Sequence, residues 1–119
     1  MSGAQLRVLL VDDNADQREL LRTQFRKAGC AAKSAATLDE ALASIRVEVP
    51  DVAVIDLLLG VGSGWEVREK ICELVPEVAI VISSVLDESD YPSSDDVLPK
   101  PFTGKQVKGL VARLRARRT

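Results

Sequence analysis

The chain has 119 residues, with 16 lysines and arginines against 18 aspartates and glutamates, a formal net charge of −2. Hydrophobic residues make up 46 % and charged residues 29 %, the balance of a globular rather than a disordered chain. Histidine is absent, which excludes histidine triads, histidine-ligated metals and a histidine general base, while Cys30 and Cys72 lie too far apart for a C-x-x-C zinc or redox motif.

In chain order, Leu6 to Val11 is an apolar run broken only by Arg7, the pattern of a strand buried on both faces of a parallel sheet. A helix over about Ala15 to Ala28 follows, burying Leu21 and Phe25 and stopping at Gly29, a residue suited to the C′ position. Ala31 to Ala35 reads as a weaker strand. Leu38, Ala41, Leu42 and Ile45 then form an apolar helix stripe behind a Thr37-x-x-Glu40 capping box. Val52 to Ile55 and Val78 to Ile82 are further buried strands. Between them Val67, Ile71, Leu74 and Val75 make a third helix, with Trp65 near its start expected to pack against the sheet. Asp96 to Leu98 is a short fifth strand, and Val107, Leu110, Val111 and Leu114 mark a last helix. The eleven or so residues from Val85 to Asp95 are at the minimum for a parallel crossover, so a stunted helix or irregular loop is expected there.

This alternation predicts an α/β fold, a parallel sheet covered by helices on both faces, formed by residues 1–119 as a single domain. No apolar run approaches the roughly 20 residues that span a bilayer. The N-terminus lacks the basic and apolar regions of a signal peptide, so a cytoplasmic location without membrane attachment is expected.

Polar residues cluster where the strands end. Asp12 and Asp13 close the first, Asp56 the third, Ser83 and Ser84 the fourth, and Lys100 follows the fifth. In an open α/β sheet those ends line the ligand crevice. Converging carboxylates either hold a proton or recruit a cation, and oxygen donors without histidine or cysteine select a hard ion such as Mg²⁺. A lysine, a hydroxyl and Mg²⁺ together suit the oxygens of a phosphoryl group, with an aspartate as nucleophile. Taken singly, each residue has a plainer explanation: the Asp12–Asp13 pair as a helix cap, Asp56 as an ordinary loop acid, Ser83 as a buried hydroxyl bonded to backbone.

Together these motifs, Val11-Asp12-Asp13-Asn14, Val54-Ile55-Asp56-Leu57-Leu58-Leu59, Val81-Ile82-Ser83-Ser84 and Lys100-Pro101-Phe102, resemble the receiver domains of bacterial two-component response regulators over essentially the whole chain. The resemblance implies a three-layer, flavodoxin-like, doubly wound sheet of five parallel strands in the order 2-1-3-4-5. It implies Asp56 as phosphoacceptor, taking its phosphoryl group from a phosphohistidine of a sensor histidine kinase or phosphotransfer protein, and a downstream effector protein or output domain that reads the result. Mg²⁺ would be ligated by Asp13, Asp56 and the backbone carbonyl of Leu58, with Asp12 acting mainly through water. Ser83 would be the switch hydroxyl and Lys100 the partner of a phosphoryl oxygen, and the Lys100–Pro101 peptide would be cis.

Departures from the family pattern are Gly60 for proline, Leu59 for methionine, Ser83 for threonine, Val97 for the usual switch aromatic, and a truncated fourth helix within Val85–Pro99. Leu58 and Val85, flanking the expected phosphoryl group, are apolar and cannot orient an attacking water, which predicts slow self-dephosphorylation. A flavin-binding flavodoxin would need a hydroxyl- and glycine-rich phosphate loop where Asp12 to Asp16 stand. A haloacid-dehalogenase-type phosphatase would need an acid where Leu58 stands. The remaining alternative is a pseudo-receiver, an interaction module without phosphorylation. The last helix and tail carry Lys105, Lys108, Arg113, Arg115, Arg117 and Arg118, with no acid after Asp96. They read as a solvated helix face complementing the helix dipole or a protein-docking surface, with nucleic acid disfavoured by the acidic balance and the absence of interleaved aromatics.

Overall fold

The computed structural model describes residues 5–60 and 62–118. The apolar runs become β1 (Arg7–Val11), β2 (Ala31–Ala35), β3 (Val52–Ile55), β4 (Ala79–Ile82) and β5 (Asp96–Val97). Between and after them come α1 (Ala15–Lys27), α2 (Leu38–Val47), α3 (Gly64–Leu74) and α4 (Gly104–Arg117). All strand pairs are parallel and the order is β2-β1-β3-β4-β5, as the resemblance implies. Leu6, Val78 and Leu98, expected within strands, fall just outside them yet remain buried.

Alternation along the strands sorts the core into two apolar layers. Val8, Leu10, Val54 and Val81 meet Leu21 and Phe25 of α1 and Val107, Leu110, Val111 and Leu114 of α4. On the other face Leu9, Val11, Ile55, Ile80 and Ile82 meet Ala41 and Ile45 of α2 and Val67 and Ile71 of α3. Every helix start is capped by a side-chain oxygen: Asn14, Thr37, Ser63 and Thr103 each accept the N–H three residues on. The capping box expected at Thr37 is half made, because Glu40 reaches the Ala36 N–H (2.9 Å) instead of that of Thr37; the complete box is at Thr103 and Gln106. Gly29, at φ 89°, follows α1 in the left-handed conformation that favours glycine.

Trp65 departs from expectation. It is 41 % exposed because, at about 100° per residue, it lies on the side of α3 opposite Val67 and Ile71. Leu74 is also exposed, and Val75, the residue capping α3, takes the inward place. Between β4 and β5 the expected shortened crossover is a single 3₁₀ turn, Glu88–Asp90. The layer that a fourth crossover helix would supply is replaced there by Leu86 and Tyr91, which pack against the α2–α3 side of the core.

Candidate functional site

β1 and β3 are neighbours at the point where the strand order reverses, β1 leading to β2 on one side and β3 to β4 on the other. Their carboxyl ends border the crevice that such a reversal opens. Main-chain bonds carry the sheet one residue past each strand: Asp12 N–H donates to Ala35 O (3.1 Å), Asp56 N–H to Val11 O (2.9 Å) and Ser83 N–H to Ile55 O (3.0 Å). The starting point of each polar side chain is thus set by the register of the apolar runs beneath it.

Asp12, Asp13 and Asp56 converge, each offering a carboxylate oxygen within 4.8 Å of the others. Asp12 and Asp56 are buried, while Asp13 is open to solvent. Lys100, expected beside them, places its ammonium 2.6 Å from Asp12 Oδ2 and 3.1 Å from Asp56 Oδ2. Burial opposes its charge, but the hydrogen bond to Asp12 and the charges of Asp56 and Asp12 outweigh that, holding the Lys100 pKa above the ordinary lysine value. The second oxygens are held by main chain: Asp12 Oδ1 accepts the Asn14 N–H (2.9 Å) and Asp56 Oδ1 the Leu58 N–H (3.1 Å). Asp13 accepts the Gly60 N–H. The Lys100–Pro101 peptide is cis.

One buried group in this cluster has nothing to bond. Ser83 is 1 % exposed and its Oγ has no hydrogen-bond partner, although it sits beside Asp56 across the β3–β4 pair. The reading of Ser83 as a backbone-bonded structural hydroxyl is therefore excluded, since buried hydroxyls are otherwise almost always paired. The reading of the Asp12–Asp13 pair as a helix cap also fails. Asn14 caps α1, accepting the Gln17 N–H at 2.9 Å, and both carboxylates are left to the cluster with Asp56. A cleft of about 370 Å³ opens beside them, lined among others by Asp12, Asp56, Lys100, Leu20, Val85 and Phe102.

The oxygen-only donor set fits a hard divalent cation. Three carboxylates and one ammonium leave two formal negative charges in a small space, which one such ion would match.

Three residues of the site were not anticipated. Arg18 of α1 donates to the Asp12 carbonyl (2.9 Å), with only its place one turn into the helix as a signal. Gly60, noted as a departure, supplies the N–H that Asp13 uses. Tyr91 hydrogen-bonds the main chain of Ser84, accepting its N–H (3.2 Å) and donating to its carbonyl (2.8 Å). Its signal was being the single tyrosine of the chain, placed in a connection rich in aspartate, glutamate and serine.

The basic residues of α4 prove to be largely spent within the molecule. Arg113 pairs with Asp96 (2.8 Å), Arg117 with Asp95 (2.8 Å) and Arg118 with Asp51 (3.2 Å), while Arg115 donates to the Gly29 carbonyl. Among the described residues no helix is long and apolar enough to cross a membrane.

Comparison with known proteins accords with this geometry. The chain is 34 % identical over 117 residues to the phosphate regulon transcriptional regulatory protein PhoB of Pseudomonas aeruginosa, covering 92 % of this chain and 50 % of that protein. It is 32 % identical over 115 residues to the probable transcriptional regulator ycf27 of Guillardia theta, covering 92 % of this chain and 44 % of that one. The chain thus spans about half the length of the curated relatives it matches. A two-component response regulator from Clostridium difficile superposes with a TM-score of 0.87 at 22 % identity, over 97 % of this chain and 99 % of its own. The response regulator TrrA from Thermotoga maritima, solved in complex with Mg²⁺ and BeF, does so with a TM-score of 0.81 at 28 % identity, over 91 % and 97 %. The sequence model of the response regulator receiver domain matches residues 8–112, and the chain belongs to that family.

Proposed function

We propose that residues 1–119 act as one receiver unit in which Asp56 accepts a phosphoryl group from the phosphohistidine of a sensor histidine kinase or phosphotransfer protein, in an Mg²⁺-dependent reaction. The phosphorylated form would then signal to a downstream effector protein or output domain. The observation that carries this reading is the unpartnered Ser83 Oγ, buried beside a carboxylate that already shares a lysine with its neighbour. A tetrahedral group on Asp56 would give that hydroxyl an acceptor.

In the transfer, an Asp56 carboxylate oxygen forms a bond to phosphorus as the phosphorus–nitrogen bond of the phosphohistidine breaks, and the nitrogen keeps the electron pair. The Leu58 N–H fixes the rotation of the Asp56 carboxylate, and Lys100 is placed to follow the charge onto a phosphoryl oxygen. Ser83 Oγ–H would donate to another. Asp12, Asp13, Asp56 and the Leu58 carbonyl would hold Mg²⁺, whose contribution when bound is to neutralise charge on the phosphoryl oxygens. Positioning and charge are most of what such a transfer needs, and the chain supplies both without a histidine.

Incubation with acetyl phosphate and Mg²⁺, read by intact mass, tests this. Wild type should gain one phosphoryl group and Asp56→Asn none. No gain in wild type would leave an interaction module in its place, and gain in both would mean that another residue is modified. Because Leu58 and Val85 are apolar and exposed, neither can orient a hydrolytic water. The group should persist for minutes or longer in Mg²⁺ buffer, and loss within seconds would contradict this.

A further inference from the structure

Three hydrogen bonds meet on the main chain of Ser84. Its carbonyl accepts the Tyr91 O–H (2.8 Å) and the Lys100 N–H (3.0 Å), and its own N–H donates back to the Tyr91 oxygen (3.2 Å). Ser84 is fully buried, so no solvent replaces these partners if they part. The residues on either side of this junction are pocket residues. Ser83, one peptide away, carries the unpartnered hydroxyl, and Lys100 carries the ammonium shared by Asp12 and Asp56. Tyr91 itself belongs to the irregular connection between β4 and β5, two positions after Ser89 in the 3₁₀ turn.

We infer that Tyr91 is a positioning residue, a latch whose hydroxyl ties the β4–β5 connection to the phosphoryl pocket through the Ser84 main chain and lets go when the pocket fills. The inference rests on the proposed phosphoacceptor role of Asp56. A phosphoryl group on Asp56 draws on the Ser83 hydroxyl and on the Lys100 ammonium together. Both residues are joined to Ser84, Ser83 through the peptide unit that carries the Ser84 N–H and Lys100 through its own N–H to the Ser84 carbonyl, so their adjustment reaches the two peptide units that flank Ser84. The Tyr91 hydroxyl accepts from one of these units and donates to the other, so reorientation of either one breaks a bond of the latch. Burial raises the Tyr91 phenol above its ordinary pKa, more than the Ser84 hydrogen bond lowers it, so the latch is protonated at neutral pH.

Being the single tyrosine, Tyr91 can be observed alone. The chain grown with 3-fluorotyrosine gives one ¹⁹F resonance, followed during reaction with acetyl phosphate and Mg²⁺ while intact mass reports phosphorylation. The resonance should move as the mass rises, and exchange of the Ser84 amide proton should quicken about tenfold, the loss of one modest hydrogen bond. Tyr91→Phe keeps the ring in the core. Its Ser84 amide should exchange about tenfold faster before any phosphorylation and no faster after it.

A mass gain with an unmoved resonance and an unchanged Ser84 amide overturns the latch and leaves the phosphoacceptor role intact. Absence of a mass gain in wild type overturns that role, and the latch with it. A resonance that moves equally in Asp56→Asn under the same treatment answers to the buffer or the metal, and also overturns the latch.

Discussion

The two sides of the sheet are built differently. Around β1 and β3 each strand pairs over four or five residues, and full helices cover both faces. At the β4–β5 edge the pairing is two residues long and the covering layer is a 3₁₀ turn with Leu86 and Tyr91. Polar side chains close that edge instead. Asp95 Oδ2 accepts the Ile80 N–H (2.7 Å), Arg68 of α3 holds Ser93 through its carbonyl (2.8 Å), and Arg113 and Arg117 of α4 hold Asp96 and Asp95. Apolar burial resists local opening, whereas solvent-facing ion pairs contribute little and are screened by salt. The acids that would hold metal and phosphoryl therefore stand on the rigid side. Ser83 and Lys100, which would respond to the phosphoryl group, border the looser one.

If that division is right, damage at the centre should be global and large. Phe25 is fully buried between α1 and the sheet, and Phe25→Ala should cost about 3–5 kcal/mol, read as a drop in the urea midpoint. Gly64 is next. A Cβ there would stand 2.1 Å from the Asp56 carbonyl oxygen and 2.5 Å from the Leu57 Cα, so backbone must move directly beneath the site. Gly64→Ala should cost about 1–3 kcal/mol and slow phosphorylation of Asp56. Gly104 at the start of α4 is the informative contrast. Its Cβ would meet the far end of the Gln24 side chain at 2.7 Å, which can swing away, and Gly104→Ala should stay within about 0.5 kcal/mol of wild type. Equal costs at the two glycines would mean that the joint between β3 and α3 is not the rigid element proposed.

The rigid side is also the side that the sequence made legible. Strands buried on both faces are continuous apolar runs, and a run that stops at a carboxylate or a hydroxyl marks both a strand end and a rim residue; Asp12, Asp56 and Ser83 follow from that. On the loose side the short fifth strand was legible, but the connection before it only as an anomaly, with room for no more than a stunted helix or an irregular loop. What fills it depends on partners far away in the chain, Arg68 with Ser93 and Arg113 with Asp96, 25 and 17 positions apart. No local periodicity records such pairs. Trp65 failed for a related reason, since its size suggested burial while its angle on α3 pointed outward. Arg113 and Arg117 of α4, and Arg118 just after it, had acidic partners at or just before β5 and before β3, which a count of charges along the helix could not reveal.

The smallest effects should come from the edge itself, and they distinguish polar closure from apolar closure. Arg113→Ala removes a two-pronged contact to Asp96, at 2.8 and 3.1 Å, from a side chain that is more than half exposed. Solvent screening limits the loss to about 1 kcal/mol or less, shrinking further as salt is added. Acid should act on the same contact. Burial would raise the Asp96 carboxyl, but the Arg113 hydrogen bond and the Val97 N–H outweigh it and hold the pKa below the ordinary carboxylate value. A carboxyl lowered by folding stabilises the folded state above its unfolded pKa of about 3.9, and that contribution fades as pH falls through the lower, folded value. Protection against amide exchange at Val97 and Leu98, taken relative to the intrinsic rate at each pH, should therefore fall below about pH 4, before protection at Val54 in β3 responds. In Arg113→Ala that early acid response should shrink. Were β3 and β5 instead to open together at every pH, the edge would be part of one cooperative core, and its polar clasps would be incidental to how the pocket communicates with the surface.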